Sequence, residues 1–398
     1  MTIKKFLKLG LQPLANQYQK KQIRLSVKKG QLYNLNIFFN SKSKLVSISK
    51  RIPSEKMFNS KYPYRSSMSK TMRASFKDLS KKIKRRFKPN LLLEIGSNDG
   101  ALIKNFDKEK IIGVEPCKNL AKITKQNGYL TYDKYWNFDL ATKIKKKFNS
   151  VDIIYSANTL THISDLNSVF KSIKYLLSEN GIVIIEDPSL LECLKKNSYD
   201  QFYNEHIYLF SAIAVKNLLS NYGFEIFDIE NLSTHGGSLR YYIKRKTYKK
   251  QKISYRVNNQ IKKEIKFGLH KFETYKKFSV NVLKSKRNLL QILNKIKKDK
   301  KKILGYGATA KAVTVLNYCN INKDLIYNFT DTTPEKINNY MPGKDIKILR
   351  YNKNILKNYD YVFLGAWNFK KEIINKEKKF VKKGLKFITH IPYPRILG

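Results

Sequence analysis

The sequence predicts an α/β protein with two doubly wound, mostly parallel sheets and a small module before them. Three observations lead to this fold class. Short apolar runs alternate with helical stretches from residue 91 onwards, a pattern typical of parallel sheets. A glycine turn follows a strand and precedes a helix twice, in LEIGSNDG and in GYGATAKAV. A length of 398 residues exceeds one ordinary core and favours two or three domains.

The charge of the chain is unusual, because 80 Lys and Arg against 30 Asp and Glu give a formal net charge of +50. Clustered basic side chains would indicate a nucleic-acid partner or an anionic membrane face. The excess is mostly Lys spread over the whole chain, together with many Asn, Ile, Tyr and Phe, as an AT-rich coding sequence would produce. We favour this compositional explanation, and an anionic substrate agrees with either one.

Three cysteines lie far apart and form no CxxC pair, at Cys117, Cys193 and Cys319. Neither a disulfide framework nor a cysteine zinc site is therefore expected, and a reducing cytoplasm is the expected compartment. No apolar run approaches the length that spans a bilayer, and the apolar stretch between Met1 and Gln12 is too short for a signal peptide. We expect a cytoplasmic protein without a membrane span.

The first two regions differ in their patterns. Residues 1–67 contain short alternating runs broken by Pro, Asn and Ser, which predict a small β-rich or irregular module. Apolar positions at helical spacing over 68–88 open the second region, residues 68–245, with further helices predicted at 165–178 and 211–221. The strand candidates of this region are LLLEIG, IIGVEP, VDIIYSAN, GIVIIEDP and FEIFDIE.

A helical stretch precedes the last region. Residues 246–302 are rich in Lys with spaced apolar positions, which predicts long solvated helices joining two domains. Residues 303–398 begin with a strand, a glycine turn and a helix, and predict a smaller Rossmann-like domain. Its further strand candidates are LIYNFTDT, DYVFLGAWN and KFITHIP. Two such sheets imply a cleft between them.

The first chemical motif is the turn after the first strand of the second region. Its members are Glu94, Gly96, Asn98 and Gly100. Their spacing resembles the ExGxxxG turn of class I methyltransferases that use S-adenosylmethionine (SAM), and differs from the GxGxxG turn that holds a pyrophosphate. One strand later, Glu115 ends IIGVEP, where a carboxylate can accept both hydroxyls of a ribose. The alternative is that Glu115 only caps the next helix.

A third strand end adds to this predicted SAM pocket. The run YSANTLTHI places Ser156, Ala157 and Asn158 beside the cofactor. It also places His162 at the start of a helix, although a histidine in isolation is more often structural.

The segment QFYNEHIYLFS concentrates three reactive side chains, those of Tyr203, Glu205 and His206. Proton removal beside a ketone needs a base with a pKa near neutrality, and His206 can supply one. Glu205 can orient the imidazole or hold substrate hydroxyls, and Tyr203 can donate to an enolate oxygen. The alternative is an aromatic packing cluster around a hydrogen-bonded histidine.

Separate blocks of the sequence together carry a resemblance that extends over nearly the whole chain. They are LGLQPLAN, YPYRSS, LEIGSNDG, YNEHIYLFS, THGGSLR, GYGATAKAVTVLNYC, DTTPEKINNYMPG and AWNFKKEII. In this order they resemble the sugar C-methyltransferase family, which methylates keto-deoxysugars attached to nucleoside diphosphates. The resemblance implies an N-terminal zinc-binding module, a central SAM domain and a C-terminal Rossmann-like domain that helps bind the nucleotide-sugar.

The resemblance also implies roles for individual residues. It places Tyr203, Glu205 and His206 in the active site, with His206 as the base. It implies that Tyr64 of YPYRSS reaches the same cavity. It further implies that the substrate side is lined or supported by His235, Gly236, Gly237 and Arg240.

The first module departs from this family at its zinc site. Relatives carry two CxxC pairs there, whereas this chain has Asn40 and Ser43 in place of the second pair and lacks the first. Tetrahedral zinc needs four sulfur or imidazole ligands, and no Cys or His precedes Cys117. We therefore predict a module without metal.

A second departure lies in GYGATAKAVTVLN, where Ala312 and Val313 replace a Gly and a polar residue that relatives usually carry. The retained positions agree with an anion site at a helix N-terminus, in which Lys311 faces a phosphate. The alternative is a turn that only packs the second sheet. The retained positions are Gly305, Gly307, Lys311 and Asn317.

These observations predict a SAM-dependent C-methyltransferase whose substrate is a nucleotide-linked keto-sugar. In this interpretation His206 removes a proton from a carbon beside the carbonyl, and the enolate attacks the methyl group of SAM. Neither a nucleic-acid partner nor a resident metal is expected. Two alternatives stay open: methylation of RNA or another polyanion, which the net charge suggests, and a catalytically degenerate SAM-binding protein, which the missing zinc ligands suggest.

Overall fold

The computed structural model describes residues 2–20, 32–49 and 52–398, so residues 1, 21–31 and 50–51 of the predicted N-terminal module lie outside the described residues. The strands are β1 Ile3–Pro13, β2 Leu32–Asn40, β3 Val46–Ile48, β4 Leu92–Ile95, β5 Ile111–Val114, β6 Thr131–Tyr132, β7 Val151–Ala157, β8 Leu177–Pro188, β9 Tyr208–Leu209, β10 Phe224–Leu232, β11 Ser238–Arg245, β12 Ile303–Tyr306, β13 Asn328–Asp331, β14 Lys347–Arg350, β15 Tyr361–Leu364, β16 Lys386–Thr389 and β17 Arg395–Leu397. The α-helices are α1 Ser54–Met57, α2 Lys70–Phe87, α3 Lys118–Gln126, α4 Phe138–Phe148, α5 Leu166–Leu176, α6 Leu190–Lys195, α7 Ala212–Ser220, α8 Tyr255–Phe267, α9 Phe272–Lys298, α10 Ala310–Tyr318, α11 Lys370–Lys376 and α12 Lys378–Val381.

The N-terminal module is built around an antiparallel sheet with the order β1-β2-β3-β9. Strands β1 to β3 come from the first 48 residues, whereas β9 follows directly after the segment QFYNEHI. The inward faces of β1 and β2 supply Phe6 and Phe39, and both rings contact Tyr275 of α9. The module is therefore completed by two elements that lie far away in the sequence.

The prediction of solvated connecting helices is wrong for α9. One face of this helix is buried at regular helical spacing, as expected for an amphipathic helix on a core. That face packs against β1, and its buried members are Tyr275, Phe278, Val282, Ser285, Leu289, Leu293 and Ile296. The many Lys residues between these positions make the helix look fully solvated in the sequence. In the structure, α9 belongs to the core that supports the N-terminal sheet.

The central sheet has seven strands in the order β10-β11-β8-β7-β4-β5-β6. Strands β4 to β8 run parallel to one another, and β11 is inserted antiparallel between β8 and β10. Strands β4 and β5 are buried along their whole length, which explains their continuous apolar runs. The first strand of this sheet, β4, lies between β7 and β5, and the carboxyl ends of the parallel strands point to one edge.

The third sheet has the order β14-β13-β12-β15-β16-β17 and is parallel except for β17 at its edge. Its first strand, β12, again lies at the middle, between the second strand and the fourth. This order is the one found in dinucleotide-binding folds, in which ligands bind where the strand order reverses. The predicted Rossmann-like arrangement of residues 303–398 is therefore confirmed.

The strand candidates of both parallel sheets are confirmed, and four strands were not predicted. Strands β6, β14 and β17 are short, with two to four residues each. Strand β11 is longer, but its buried Arg240 and Lys244 conceal the apolar pattern. Both side chains form ion pairs inside the protein, with Glu186 and Glu225 respectively. Within the described ranges, no α-helix combines the length and the apolar character needed to cross a membrane.

The three sheets meet around one cleft. Helix α10 contacts the segment before β9, where the Thr314 hydroxyl donates to the carbonyl of Phe202 at 3.4 Å. The N-terminal module reaches the C-terminal sheet through Tyr18, whose hydroxyl donates to the carbonyl of Ala308 at 2.7 Å. Arg65 forms an ion pair with Glu335 across the same cleft. Segments next to all three sheets therefore surround the space between them.

Candidate active site

A cavity of about 990 Å³ occupies this cleft. It is lined by the carboxyl ends of strands in both parallel sheets and by residues of the N-terminal module. Most of the sequence-predicted site residues lie on its wall. These are Tyr64, Glu94, Gly96, Asn98, Glu115, Ala157, Asn158, Tyr203, His206, His235, Gly307 and Lys311.

The turn after β4 has a backbone conformation that only a residue without a side chain adopts easily. Gly96 has φ +74°, and a Cβ atom added there would lie 2.1 Å from the Thr159 hydroxyl oxygen. Asn98 continues the turn with φ +51°, and its side-chain oxygen accepts the backbone N–H of Ser66 at 2.9 Å. The glycine thus permits the close approach of two loops at the edge of the cavity.

Glu115 is held at the end of β5 by two backbone amides. Its Oε2 accepts the N–H of Asn98 at 2.8 Å, and its Oε1 accepts the N–H of Cys117 at 2.8 Å. Burial raises the pKa of Glu115, and these hydrogen bonds oppose the rise. Each carboxylate oxygen keeps a second lone pair that can accept a hydroxyl from the cavity. This geometry suits a ribose.

The wall beside Glu115 offers further polar atoms to a ligand. Buried side-chain atoms without a hydrogen-bond partner among the described residues include Glu94 Oε2, Ser97 Oγ and Asn158 Oδ1. Burial and the charge of Glu115 raise the pKa of Glu94 well above its ordinary value. Since buried polar groups are normally paired, these atoms indicate a polar ligand. They fit SAM, which carries an amino group, a carboxylate and two ribose hydroxyls.

Two predicted cofactor residues support this pocket from behind. A Cβ atom at Gly100 would lie 2.7 Å from the Thr124 methyl group, so this glycine allows the turn to pack on α3. The Ser156 hydroxyl donates to the carbonyl of Ile95 at 3.3 Å, which ties β7 to β4. Neither residue lines the cavity, and their assignment as direct cofactor contacts is corrected accordingly.

The imidazole of His206 lines the cavity and has a defined tautomer. Its Nδ1 lies 2.7 Å from the carbonyl oxygen of Gln201, which can only accept, so Nδ1 carries the proton. Its Nε2 lies 2.5 Å from the Tyr203 hydroxyl, which donates to it. Burial lowers the pKa of His206 well below its ordinary value, and the neighbouring His162 and Lys311 lower it further. The ring is therefore neutral, with its basic nitrogen directed at Tyr203.

Glu205 does not orient this ring, which corrects one of its two predicted roles. Its carboxylate accepts both hydrogen-bond contacts of the Asn16 amide, at 2.8 and 3.0 Å, and the Tyr62 hydroxyl at 2.9 Å. Burial raises the pKa of Glu205 to about 7, and these two donors oppose the rise. The side chain lies behind the cavity wall and links residues 201–207, the catalytic segment, to the N-terminal module.

Two further rings complete the catalytic side of the cavity. Tyr64 is partly exposed on the wall, and burial followed by the charge of Asp99 raises the pKa of Tyr64 to about 12. His162 stacks on His206 with 5.2 Å between ring centroids, and burial lowers the pKa of His162 to about 3. His162 therefore lies beside the candidate base as a neutral ring.

The residues predicted for the substrate side lie at two kinds of position, on the cavity wall and behind it. His235 lines the cavity, whereas Gly236 and Gly237 lie behind it, against Trp367 and Glu192. Arg240 is fully buried and pairs with Glu186 and Glu230, because β11 points it into the sheet interior. Asn317 donates to the carbonyls of Val313 and Pro342, and Gly305 packs against the Phe329 ring. The residues that therefore have structural positions are Gly236, Gly237, Arg240, Asn317 and Gly305.

The C-terminal part of the wall contains residues that sequence reasoning missed. Asp331 ends β13, and its two oxygens accept the backbone N–H groups of Ala308 at 2.8 Å and Thr333 at 2.9 Å. The Lys336 amine lies 3.5 Å from Asp331 and donates to the carbonyl of Ala308 at 2.8 Å. An acid at the end of LIYNFTD repeats the pattern of Glu115 and could have revealed this site.

Asn16 and Tyr62 were also missed as site residues. Both belong to blocks that carry the family resemblance, LGLQPLAN and YPYRSS, and both line the cavity while binding Glu205. Their roles depend on contacts across 189 and 143 residues of sequence, respectively. Among the described residues, no group of three or more His, Cys, Asp or Glu side chains could hold a metal ion.

Comparisons with known proteins agree with this architecture. A family model described as a methyltransferase domain matches residues 64–229, and one described as a C-methyltransferase C-terminal domain matches residues 233–392. The C-methyltransferase NovU of Streptomyces niveus is 28% identical over 311 residues, which cover 78% of this chain and 74% of NovU.

Solved structures resemble the chain more weakly. Magnesium protoporphyrin IX methyltransferase from Synechocystis PCC 6803, solved with bound SAH, is 14% identical with a TM-score of 0.33, and covers 44% of this chain and 83% of its own. The PH0226 protein from Pyrococcus horikoshii OT3 is also 14% identical, with a TM-score of 0.36, and covers 49% of this chain and 100% of its own. These scores are too low to support a functional argument.

The seven-stranded sheet, its glycine turn and the carboxylate at the second strand end define a SAM-dependent methyltransferase. The two family models together match most of the chain, and with the similarity to NovU they identify the protein as a SAM-dependent C-methyltransferase. SAM is accordingly its cofactor.

Proposed function

We propose that the protein methylates a carbon atom beside the carbonyl group of a nucleotide-linked keto-sugar. The observation that carries this proposal is that His206 lines the same cavity as Glu115 and has an unprotonated Nε2, because its Nδ1 donates to the carbonyl of Gln201. A carbon acid beside a ketone needs such a base before the carbon can become a nucleophile. The resemblance to sugar C-methyltransferases supports the choice of substrate class.

The residues of this chain divide the work. Glu115 would accept the ribose hydroxyls of SAM, with Asn158 and Ser97 as further polar contacts. SAM, when bound, supplies an electrophilic methyl group on a sulfonium. His206 takes the proton of the sugar carbon on Nε2, while Gln201 keeps Nδ1 protonated and thus fixes the tautomer. Tyr203, released from Nε2, then donates to an oxygen of the substrate.

The size and shape of the cavity support a substrate larger than a sugar alone. The wall continues from His206 to the carboxyl ends of the third sheet, where it includes Tyr306, Tyr351 and Lys376. The Lys376 amine lies 3.6 Å from the centroid of the Tyr351 ring. Aromatic rings and a cation at this place suit the base and phosphates of a nucleotide.

The test uses TDP-, UDP- and GDP-linked 4-keto-6-deoxyglucose, each incubated with SAM and analysed by mass spectrometry for the gain of one methyl group. The same sugars without SAM report exchange of the acidic proton in D2O. We expect His206→Ala to lower this exchange by about 10²–10⁴-fold while SAM binding is retained. His270→Ala, which changes a histidine outside the cavity wall, is the matched control. Unchanged exchange in His206→Ala would reject the base.

A further inference from the structure

Lys311 lies on the catalytic side of the cavity. It occupies the first turn of α10, and Thr314 lies one turn later on the same face. Thr314 contacts the carbonyl of Phe202, directly before Tyr203. Since side chains of a helix lean towards its N-terminus, Lys311 extends from this contact into the cavity that Tyr203 and His206 also line.

The ammonium group of Lys311 has no hydrogen-bond or ion-pair partner in the part of the chain that the structure describes. Its nearest aromatic contact is the Trp367 ring, whose centroid lies 6.0 Å away. Asp200, the carboxylate that acts most strongly on Lys311, binds other groups through its Oδ2 and forms no ion pair with Lys311 among the described residues. One of its oxygens accepts the Trp367 indole N–H at 2.6 Å and lies 3.0 Å from His390 Nε2. An unpaired cation on a cavity wall indicates a ligand with negative charge.

The charge of Lys311 also reaches the candidate base. It contributes, after burial and His162, to the lowered pKa of His206, and after burial alone to that of His235. His206 is thus faced by Tyr203, His162, His235 and Lys311. Burial lowers the pKa of Lys311 itself, which makes its ammonium a stronger hydrogen-bond donor and acid.

We propose that Lys311 binds the carbonyl oxygen of the substrate and stabilises the enolate that His206 generates. This role replaces the phosphate contact expected from the sequence, and it rests on the proposed function. His206 Nε2 takes the proton, the C–H electron pair forms the C=C bond, and the carbonyl π pair moves to the oxygen held by the ammonium. When the C=O bond re-forms, the carbon attacks the methyl group and the S–CH3 bond breaks. The proton stays on His206 until it reaches solvent.

The experiment separates an enolate role from a phosphate role. Lys311→Met is compared with wild type in two measurements without SAM: proton exchange of the three keto-sugar nucleotides in D2O, and calorimetric binding of UDP and TDP. We expect exchange to fall by about 10²–10³-fold, as for loss of one oxyanion donor, with unchanged affinity for UDP and TDP. Lys286→Met is the matched control, because Lys286 also lies over an aromatic ring, that of Tyr318, but outside the cavity wall.

Each outcome decides between the roles. A loss of UDP and TDP affinity that matches the loss of exchange assigns Lys311 to the phosphates and overturns the proposal, as does unchanged exchange. Absence of exchange with all three sugars in wild type overturns the proposed function and this inference with it. SAM binding checks that the variant is folded, and Lys311→Gln, which keeps a neutral donor, replaces Lys311→Met if the latter fails to bind SAM.

The pH dependence supplies a readout that a structural role would not change. Loss of the Lys311 cation removes one cause of the lowered pKa of His206, whereas His162, His235 and Tyr203 remain in place. The rise of the residual exchange rate with pH should therefore shift to higher pH in Lys311→Met. Lys311→Arg, which retains the charge, should keep the wild-type profile, and a shift in that variant would contradict the electrostatic explanation.

Discussion

The two parallel sheets hold a carboxylate at the same place by the same backbone device. Glu115 directly follows the second strand of the central sheet, and Asp331 is the last residue of the second strand of the C-terminal sheet. Each carboxylate accepts one N–H from the turn after the first strand of its sheet, at Asn98 or Ala308. Each also accepts the N–H of the residue two positions after itself in the sequence. The arrangement follows from the shared strand order, which brings these two strand ends together.

The two carboxylates differ in what surrounds them. Asp331 has the Lys336 amine at 3.5 Å, whereas Glu115 has no cation within ion-pair distance in the described ranges. The negative charge of Asp331 is thus already compensated, and its role includes holding the turn at Ala308. Glu115 faces the cavity with backbone donors only. The same framework can therefore serve a ligand in one sheet and the internal structure in the other.

The largest expected effect concerns the ion pairs within the two sheets. In the central sheet Arg240 and Glu186 are fully buried, so Arg240→Leu leaves an unpaired buried carboxylate and should lower the free energy of unfolding by about 3–5 kcal/mol. Lys336→Met in the C-terminal sheet should cost less, because Asp331 retains two backbone donors. Urea unfolding of both variants measures the difference. Equal losses would show that the sheets do not differ in this way.

The next effect is the pH dependence of Glu205, a third buried carboxylate with neither a backbone cradle nor a cation. Its pKa rises from 4.5 to about 7 on folding, so the folded state binds more protons between these values. Wild-type stability should therefore fall as pH rises through this window, by an amount on the order of 3 kcal/mol. Glu205→Gln should lack this loss. Urea midpoints measured across the window test it, and parallel curves would contradict it.

The third effect compares the two cradled carboxylates directly. Glu115→Ala removes two acceptors for ribose hydroxyls and should weaken SAM binding by about 10–100-fold, as expected for hydrogen bonds to a charged group. Asp331→Ala should leave SAM affinity unchanged, since that carboxylate lies in the other sheet. Calorimetric titration with SAM measures both. A comparable loss in Asp331→Ala would indicate that the two sheets share one ligand.

The smallest effect concerns the link across the cleft. Arg65 and Glu335 form an ion pair whose side chains keep 33% and 27% of their exposure, so solvent screens it. Glu335→Gln should change the free energy of unfolding by less than about 1 kcal/mol. A change in SAM affinity in this variant would instead show that the contact between Arg65 and Glu335 affects the SAM pocket. The same urea and calorimetric measurements apply.

The sequence predicted the parallel sheets well because their strands are buried on both faces and read as apolar runs. It also indicated Glu94, Glu115 and His206, which line the cavity, because a glycine turn, a strand end and a cluster of reactive side chains are local features of the sequence. The prediction that Arg240 lies on the substrate side was wrong, because the sequence alone does not show that this arginine is buried in an ion pair with Glu186. Glu205 was placed correctly in the chain, but its partners Asn16 and Tyr62 depend on long-range folding.

Strand β9 places the N-terminal sheet and the catalytic segment on one continuous stretch of backbone. His206 precedes β9 by a single residue, and β9 pairs with β3. If recombination replaced residues 1–67 alone, the new β3 would have to pair with the original β9, directly beside His206. We therefore expect the N-terminal sheet and the segment around His206 to evolve together, with compensating substitutions in β3 and β9.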